Sequence, residues 1–355
     1  MKATKIKMFD GSIGLIVEDE NTKSLVHPKY NFRFRKSDGL FVRWGSTKED
    51  DGDLTLGLPE ICDMEISEVC SQGCAFCYKS NLKKGKNMSF ETFKKIFHKL
   101  PIDTITQIAY GIGDIDGNPD MWQIFEYSKN HGITPNVTIN GSRMKPEYYD
   151  KLVKLCGAVA VSNYNKDICY NAVKELSVRG LKQVNIHQLL SEETYEQAKN
   201  LLIDKLKDPR LQHLNAIVFL SLKTKGRALD NNFKKLSQIK YDHIVNFGLQ
   251  NNIGIGFDSC GASKFLTSIK NNPEYKQLKN YAEPCESSIY SVYLDVNGLV
   301  YPCSFTPKTE EWQNGISIIE CNDFIRDIWF SDKFRKFHNN VVNCRNNCGC
   351  PIYDI

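Results

Sequence analysis

The stretch Cys70-Ser-Gln-Gly-Cys74-Ala-Phe-Cys77 places three thiols within eight residues, separated by three and then two residues. A structural zinc site needs four ligands and usually draws its thiolates from pairs of cysteines two residues apart. A cubane iron–sulfur cluster instead takes one thiolate on each of its four irons. Three clustered cysteines therefore suit three corners of a cube and leave the fourth iron open to a substrate or cofactor. A zinc knuckle and chance clustering are the alternatives.

The composition is that of an ordinary globular protein. The 355 residues are 41% hydrophobic and 25% charged, enough for one large domain or two moderate ones. A net charge of +4, without a basic stripe interleaved with aromatic residues, predicts no nucleic-acid partner. No apolar stretch approaches the ~20 residues of a membrane span, and the first residues lack the apolar core of a signal peptide. We therefore expect a cytoplasmic protein with no membrane partner.

The cysteines are numerous and unevenly distributed. Of thirteen, three lie near residue 70 and six lie from Cys285 onward. Without a secretory signal, such groups favour metal ligation in a reducing compartment over a disulfide framework. Cys62, Cys156 and Cys169 stand within apolar patterns and are predicted to be small buried hydrophobic residues.

From residue 61 the pattern alternates apolar strands with amphipathic helices. The predicted strands are 63–69, 106–112, 136–140, 158–163, 183–189 and 216–222, and the predicted helices are 89–99, 120–131, 146–156, 168–179, 192–207 and 231–246. Six such repeats indicate a parallel sheet with helices outside it. The first strand leads into the cysteines and not into a phosphate-binding glycine turn, which favours a partial (β/α)6 barrel of the TIM type over a doubly wound sheet. A seventh strand is predicted over 254–259.

Two smaller units are predicted to flank the barrel of residues 61–260. Residues 1–60 contain β-rich runs that turn at Asp10-Gly11 and Asp38-Gly39, which predicts a β-hairpin cap that covers the barrel or offers an edge strand to a peptide. Residues 261–355 are predicted to form a small cysteine-rich domain. It combines a helical stretch over 262–281 with a hairpin that turns at Asn297-Gly298.

The three cysteines, placed after the first barrel strand, resemble the signature of the radical S-adenosylmethionine (SAM) enzymes. The resemblance implies a [4Fe–4S] cluster held by Cys70, Cys74 and Cys77, whose open iron binds the methionine end of SAM. It further implies that one electron cleaves SAM to methionine and a 5′-deoxyadenosyl radical, which removes a hydrogen atom from a substrate. An electron donor of the flavodoxin or ferredoxin type would then be a partner.

The turn after the second strand supports this resemblance with one departure. Tyr110-Gly-Ile-Gly-Asp114 stands where the family has a Gly-Gly-Glu turn that binds the methionine ammonium group. Ile112 replaces the first glycine, Gly113 retains the second and Asp114 replaces the glutamate. A carboxylate still suits an ammonium partner, although its side chain is one methylene shorter. The alternative is a solvated turn.

Further cofactor contacts are implied at the carboxyl ends of the later strands. The residues assigned to SAM binding by the resemblance are Phe76, Gly113, Asp114, Thr138, Asn140, Ser162, His187 and Leu222. Phe76 would stack on the adenine or shield the cluster from water. His187 at the barrel mouth would contact SAM or substrate, with a structural histidine as an equal alternative.

The C-terminal cysteines resemble a second family feature. Cys285 is followed by twelve residues, a glycine, four residues and Cys303, and a late group ends the chain. This arrangement resembles the SPASM extension of radical SAM enzymes, or its shorter twitch form, and implies one auxiliary [4Fe–4S] cluster. The implied ligands are Cys285, Cys303 and Cys350, with Cys344 or Cys348 as the fourth. A zinc site is the alternative, and Cys321 is not expected to be a ligand.

Cys260 follows the predicted seventh strand and is assigned to the catalytic site. Three roles are open for its thiol: donation of a hydrogen atom to a substrate radical, contact with substrate, and completion of the auxiliary cluster. A buried thiol without function is an equal alternative.

These expectations lead to one functional hypothesis with rivals. We expect a radical SAM enzyme that oxidatively modifies or crosslinks a ribosomally made peptide, as relatives with such an extension do. The alternatives are an oxidoreductase or isomerase acting on a small molecule, a non-catalytic iron–sulfur electron carrier, and a zinc-stabilised binding protein.

Overall fold

The computed structural model describes residues 1–47, 56–344 and 350–353; Cys348 lies outside the described residues. The strands are β1 (Lys2–Lys7), β2 (Ile13–Glu18), β3 (Thr22–Val26), β4 (Asn31–Arg35), β5 (Phe41–Trp44), β6 (Ile61–Glu65), β7 (Gln107–Gly111), β8 (Thr134–Ile139), β9 (Ala158–Ser162), β10 (Gln183–Leu190), β11 (Ala216–Ser221), β12 (Ile255–Phe257), β13 (Ser291–Leu294), β14 (Leu299–Tyr301) and β15 (Ile316–Ser317). The helices are α1 (Phe90–Phe97), α2 (Met121–Asn130), α3 (Pro146–Leu155), α4 (Lys166–Val178), α5 (Tyr195–Lys205), α6 (Arg227–Asp230), α7 (Gln238–Gln250), α8 (Ala262–Ile269), α9 (Tyr275–Leu278) and α10 (Asp332–Cys344).

The N-terminal segment is a five-stranded antiparallel meander in the order β1-β2-β3-β4-β5. Both predicted hairpins are present, and their glycines, Gly11 and Gly39, adopt positive φ values of 87° and 69°, as tight turns require. Strand β3, which joins the two hairpins into one sheet, was not predicted from the sequence. Its Lys23 and Ser24 are polar but buried, so the strand lacks an apolar pattern.

The barrel is built from seven parallel strands in the order β6-β7-β8-β9-β10-β11-β12. Helices α1 to α5 and α7 follow successive strands, so every connection is the strand–helix–strand crossover expected of a parallel sheet. The predicted partial barrel of the TIM type is thereby confirmed, with β12 as a short seventh strand. Along β10 burial alternates strictly, which separates a helix-facing side from a side that faces the barrel interior.

Helix α1 illustrates how the outer layer is specified. Ser89 caps its first turn by accepting a hydrogen bond from the backbone N–H of Thr92, an interaction that stabilises a helix by about 1 kcal/mol. Phe93, Ile96 and Phe97 recur at helical spacing and are fully buried against the sheet.

Two predicted helices are shorter than expected. The helix predicted over 231–246 begins only at Gln238, because Asn232 takes a positive φ of 54° after the four-residue α6. The helix predicted over 262–281 is divided into α8 and α9. Pro273 explains the break, since a proline disfavours helical geometry in the residue before it.

The C-terminal hairpin extends the barrel sheet. β13 pairs in parallel with β6, with Tyr293 opposite Asp63, and β14 and β15 add two antiparallel strands beyond it. The ten-stranded sheet therefore runs from β12 through β6 to β15. The boundaries predicted at residues 60 and 260 divide a structure whose second and third units share one sheet.

Within the described ranges, no helix combines the length and apolar character needed to span a bilayer.

Candidate active site

The three clustered cysteines lie in the loop between β6 and α1, at the carboxyl end of the barrel strands. This segment, residues 66–88, is called the cysteine loop. It folds back on itself, because Cys70 donates its N–H to the carbonyl of Leu82 at 2.8 Å and Cys77 donates to the carbonyl of Cys74 at 3.2 Å. All three cysteines are half-buried. The active sites of barrels form at this end of the strands.

Asp114 fixes the start of the cysteine loop. Its side chain is only 2% exposed. One carboxylate oxygen accepts a hydrogen bond from the backbone N–H of Ser71 at 2.9 Å, and the other accepts one from the Asn140 side-chain amide at 3.1 Å. Arg143 lies 3.5 Å from the same carboxylate. Asp114 and Asn140 therefore hold the loop, and their contact with the SAM ammonium group stays a prediction.

Gly113 allows the turn after β7 to approach the cysteine loop. A Cβ atom at this position would lie 2.3 Å from the carbonyl oxygen of Val69 and 2.4 Å from the Cβ of Cys70. Both distances are far below van der Waals contact, so any other residue would displace the backbone that carries the first thiol. This gives a packing reason for the second glycine of the family turn.

Gly226 and Arg227 hold the other end of the cysteine loop. Gly226 has a φ of +56°, and a Cβ there would lie 2.5 Å from the carbonyl oxygen of Tyr78. Arg227 donates from Nε to the carbonyl of Cys74 at 2.8 Å and from Nη1 to the carbonyl of Asn81 at 3.0 Å. The Gly226-Arg227 pair therefore clamps the loop, a role that was not predicted from the sequence.

The Arg227 charge also acts on the thiols. Burial raises the pKa of Cys74 to about 11, helped by the neighbouring thiols of Cys70 and Cys77, while the guanidinium of Arg227 opposes that rise. Burial likewise raises the pKa of Cys70. The mutual influence of the three thiols means that they are close in space, as ligands of one cluster must be.

A cavity of about 630 Å³ opens beside the loop. Its wall includes the predicted SAM-binding residues Phe76, Ser162, His187 and Leu222. The ring of Phe76 lies 5.4 Å from that of Tyr164. Tyr164 also lines the cavity and was not predicted, although an aromatic residue directly after the fourth strand was the available signal.

His187 is held neutral in this wall. Burial lowers the pKa of His187 to about 4, against the opposing charge of Asp258. The Nδ1 atom of His187 lies 3.3 Å from the hydroxyl oxygen of Thr138. Thr138 therefore contacts a residue that lines the cavity. A neutral imidazole at physiological pH offers one hydrogen-bond donor and one acceptor and carries no charge.

The opposite end of the same cavity is lined by Cys285, Cys303 and Cys350, here called the C-terminal thiols. Each receives hydrogen-bond donors. The backbone N–H of Tyr353 donates to the sulfur of Cys350 at 3.4 Å. Burial raises the thiol pKa values of Cys303 and Cys285 above the ordinary value. The N–H groups after Cys303 oppose this rise at Cys303, and the N–H and hydroxyl of Ser287 oppose it at Cys285. Donors aimed at sulfur are what an anionic cluster ligand requires.

The remaining C-terminal cysteines differ. Cys344 ends α10 and is disulfide-bonded. Cys321 is buried, and its sulfur donates to the carbonyl of Ile318 at 3.1 Å. The fourth ligand of the predicted auxiliary cluster, Cys344 or Cys348, stays a prediction.

The spread of the thiols in both groups matches the predicted iron–sulfur clusters. Within the described ranges, no three His, Cys, Asp or Glu side chains converge closely enough to bind one metal ion. A cubane presents its irons at the corners of a cube, so its thiolates surround a volume and not a point. The sulfur of Cys350 also accepts a hydrogen bond from a backbone N–H, as a cluster ligand does.

Contacts between aromatic and basic side chains join the two ends of the cavity. The ring of Tyr78, next to Cys77, lies 4.4 Å from that of Phe305, which follows Cys303 by two residues. Lys225 donates to the carbonyls of Phe305 at 3.0 Å and Pro307 at 2.8 Å. The loop after β11 therefore contacts both the cysteine loop and the segment of the C-terminal thiols.

Part of the chain matches a known protein family. Residues 64–165 match the family model described as the Radical SAM superfamily. The chain is 24% identical over 152 residues to the mycofactocin maturase MftC of Mycobacterium tuberculosis, which is 38% of this chain and 39% of that protein. The match to MftC of Mycobacterium ulcerans has the same identity over 98 residues, 27% of each chain. The matched segments thus span two fifths or less of these curated relatives.

Solved structures share the fold. Streptococcus suis SuiB bound to its precursor peptide SuiA superposes with a TM-score of 0.61 at 14% identity, over 79% of this chain and 67% of SuiB. The structure of anSMEcpe with bound AdoMet and the Cp18Cys peptide gives 0.58 at 15% identity, over 83% of this chain and 88% of that chain.

The match to the Radical SAM superfamily model covers the first barrel strands and includes the three clustered cysteines. This match and the neighbours solved with bound AdoMet support a [4Fe–4S] cluster and SAM as cofactors, and the C-terminal cysteines fit an auxiliary cluster.

Proposed function

We propose that this chain is a radical SAM enzyme that oxidatively modifies a peptide. The observation that carries the proposal is the single 630 Å³ cavity that joins the cysteine loop at one end to the C-terminal thiols at the other. Relatives support the substrate class: MftC is named a maturase, and SuiB and anSMEcpe have been solved with peptides bound.

When bound, the cluster and SAM supply a 5′-deoxyadenosyl radical that takes a hydrogen atom from the substrate. The residues of this chain would position these two cofactors. Cys70, Cys74 and Cys77 would hold the cluster, and Asp114 and Arg227 fix the loop from its two ends. The enclosing wall keeps water from reactive groups.

The far end of the cavity suits an oxidation. After hydrogen removal the substrate must lose one electron and one proton to complete a two-electron oxidation. The C-terminal thiols line the same cavity and would hold an auxiliary cluster that accepts this electron. Burial raises the pKa of Asp63 to about 6, so this cavity carboxylate is ionised at neutral pH and can accept the proton.

Anaerobic reconstitution tests the proposal. Purified full-length protein, supplied with iron and sulfide, should bind about eight irons per chain, four for each cubane. SAM and reductant should then yield 5′-deoxyadenosine, detected by mass spectrometry. A peptide encoded beside the gene should lose two hydrogens per modification. Clusters inert to SAM would contradict the proposal and favour an electron carrier.

A small-molecule substrate is the second candidate. The cavity volume lies within the ~300–1,000 Å³ range of small-molecule sites. Deuterium transfer separates the two. Label passing from a deuterated precursor peptide into 5′-deoxyadenosine supports the peptide, whereas turnover that needs only a small compound supports the alternative.

The one-electron donor is expected to be of the flavodoxin or ferredoxin type. Replacing the chemical reductant with reduced flavodoxin should sustain SAM cleavage, and failure of both flavodoxin and ferredoxin would exclude that class of donor.

A further inference from the structure

A positively charged stretch of the cysteine loop lies outside the cavity. Residues 79–87 read Lys-Ser-Asn-Leu-Lys-Lys-Gly-Lys-Asn and contain four lysines and no carboxylate. The cavity wall includes Phe76, Cys77 and Tyr78 of the same loop, whereas residues 79–87, all of which the structure describes, lie outside that wall. Residues 82–87 are exposed and are here called the lysine segment. The cysteine loop therefore has one side toward the cavity and another toward solvent.

The charges of the lysine segment are largely uncompensated. Lys83 and Lys84 form no ion pair with the part of the chain that the structure describes. Lys86 donates from Nζ to the neutral amide oxygen of Asn297 at 3.0 Å. Glu68 is the carboxylate in contact with the segment, and it accepts the backbone N–H of Lys86 at 3.2 Å. Three ammonium groups thus face solvent with one carboxylate beside them.

Other exposed lysines of the chain are neutralised. Lys2 pairs with Asp103 at 2.8 Å. Lys336 pairs with Glu311, with 2.6 Å between the ammonium nitrogen and the carboxylate oxygen. Surface ion pairs of this kind consume the charge that would otherwise attract a partner. The lysine segment retains its charge.

The lysine segment packs against the backbone that carries the first thiol. The carbonyl of Leu82 accepts the N–H of Cys70 at 2.8 Å, while the side chain of Leu82 is 63% exposed. Gly85 lies tightly on Glu68, since a Cβ atom at residue 85 would lie 2.7 Å from the carbonyl oxygen of residue 68. A residue at the protein surface is therefore one hydrogen bond away from a predicted cluster ligand. Because electron transfer slows steeply with distance, this surface is suited to electron entry.

The pattern of the segment defines the chemistry of its partner. Leu82 provides an exposed apolar centre, and the three lysines provide a charged rim. Interfaces of electron-transfer proteins are small, and complementary charges guide their association. The partner must therefore carry carboxylates around an apolar edge that exposes its redox group. The dimethylbenzene edge of a flavin is apolar, and flavins donate single electrons.

An acidic segment of the substrate peptide is the other partner that such a charge would suit. The position of the segment favours the electron donor, because the substrate has to reach the cavity and residues 79–87 lie outside its wall. A donor bound at the lysine segment leaves the cavity free for the substrate.

We propose that the lysine segment is the docking surface for an acidic electron donor of the flavodoxin type, with Leu82 against the flavin edge and the three lysines against surrounding carboxylates. This rests on the proposed function, which requires one electron at the first cluster for the reductive cleavage of SAM. The reduced flavin loses that electron and is oxidised by one electron, and the cluster of the cysteine loop gains it. No atom or proton is transferred between the two proteins in this step.

K83E/K84E in reconstituted full-length protein tests the surface. With reduced flavodoxin as donor, the KM for flavodoxin in 5′-deoxyadenosine formation should rise roughly tenfold or more, because charge steering changes association rates by about 10–1,000-fold. The rate with dithionite, which needs no docking protein, should stay at the wild-type value. K5E/K7E is the matched control: it reverses two exposed lysines of β1, changes the net charge equally and should keep the wild-type KM.

Binding gives a readout independent of turnover. The Kd of oxidised flavodoxin, measured by calorimetry, should increase with salt for the wild type and depend less on salt for K83E/K84E, since salt screens exposed charges. L82A should raise this Kd roughly fivefold through lost apolar contact and leave its salt dependence unchanged. L206A, which shortens a leucine that is 50% exposed, is the control and should bind as the wild type does.

The outcomes separate this inference from the proposed function. If the wild type forms no 5′-deoxyadenosine with dithionite, the proposed function fails and the inference fails with it. If dithionite supports cleavage and K83E/K84E retains the wild-type KM and Kd for flavodoxin, the inference alone is overturned. A raised KM for the peptide under dithionite would assign the segment to the substrate and also overturn it. Charge dependence with reduced ferredoxin but not with flavodoxin would overturn the flavin partner.

The neutral variant K83Q/K84Q protects the test against misfolding. It should give a KM for flavodoxin between those of the wild type and K83E/K84E, with an unchanged circular dichroism spectrum and iron content. A KM that rises equally in the neutral and the reversed variants would contradict a docking surface based on charge.

Discussion

The two groups of cysteines are built in opposite ways. Cys70, Cys74 and Cys77 occupy one loop, and residues elsewhere in the barrel hold that loop through backbone contacts. The C-terminal thiols come from separate segments that converge only in the folded chain. Cys285 is buried, whereas Cys303 and Cys350 are half-buried like the first group. The two groups therefore differ less in burial than in origin, because one lies on a continuous loop and the other is assembled by the fold from distant segments.

Removal of the first group should have the largest effect. C70A, C74A or C77A alone should reduce SAM cleavage by roughly 1,000-fold or more, since the cofactor carries the difficult chemistry. The release of 5′-deoxyadenosine measures this. The iron of the auxiliary cluster should persist in each variant, and its loss would mean that the two groups are not independent.

G113A should break the packing that positions the first group. Its Cβ would collide with Val69 and Cys70, and a displacement of about 1 Å at a reacting centre can cost roughly 100-fold in rate. We expect less iron at the first cluster and a comparable loss of SAM cleavage. G256A is the control, because a Cβ there would meet no atom closer than 3.9 Å. Equal loss in both variants would contradict this explanation.

R227K should weaken the clamp without removing its charge. The substitution forfeits at least one of the two hydrogen bonds from the guanidinium to loop carbonyls, and each bond from a charged group contributes about 1.5–3 kcal/mol. We expect roughly a tenfold loss of SAM cleavage, with auxiliary iron unchanged. R326K, an exposed arginine paired with Asp327, is the control. Wild-type activity in R227K would show that charge alone suffices.

H187Q should produce the smallest effect, in the pH dependence of stability. Burial lowers the pKa of His187 from 6.5 to about 4, so between these values the unfolded state binds more protons. Stability therefore rises with pH across this window, and the contribution is lost as pH falls. Urea unfolding of cluster-free protein should give a shallower slope for H187Q, by less than about 1.4 kcal/mol per pH unit. Equal slopes for H187Q and the unmodified protein would indicate that His187 is exposed to solvent in the folded state.

The sequence predicted the parts of the fold that depend on local pattern. Strand–helix alternation located the six main barrel strands to within a few residues, and the Asp-Gly turns located both N-terminal hairpins. β3 was missed because buried Lys23 satisfies its ammonium by donating to the carbonyls of Ile102 and Ile105, each at 2.8 Å. These acceptor carbonyls belong to the barrel. The sequence of β3 alone therefore gives no sign that a buried lysine would find hydrogen-bond partners.

The same limit applied to the site. The spacing of Cys70, Cys74 and Cys77 was sufficient to predict one cluster, because its ligands are neighbours in sequence. The Lys223–Asp258 pair and the position of Cys260 in the cavity wall that also contains the C-terminal thiols depend on contacts between distant segments. Spacing carries no information about such contacts.

The parallel pairing of β13 with β6 has a consequence for biosynthesis. Until residues 291–294 leave the ribosome, the strand that leads into the first three cysteines has a bare outer side, with backbone groups open to another chain. The sheet thus remains unfinished until translation has passed residue 294. A chain truncated before residue 291 should therefore keep this edge of β6 exposed and aggregate.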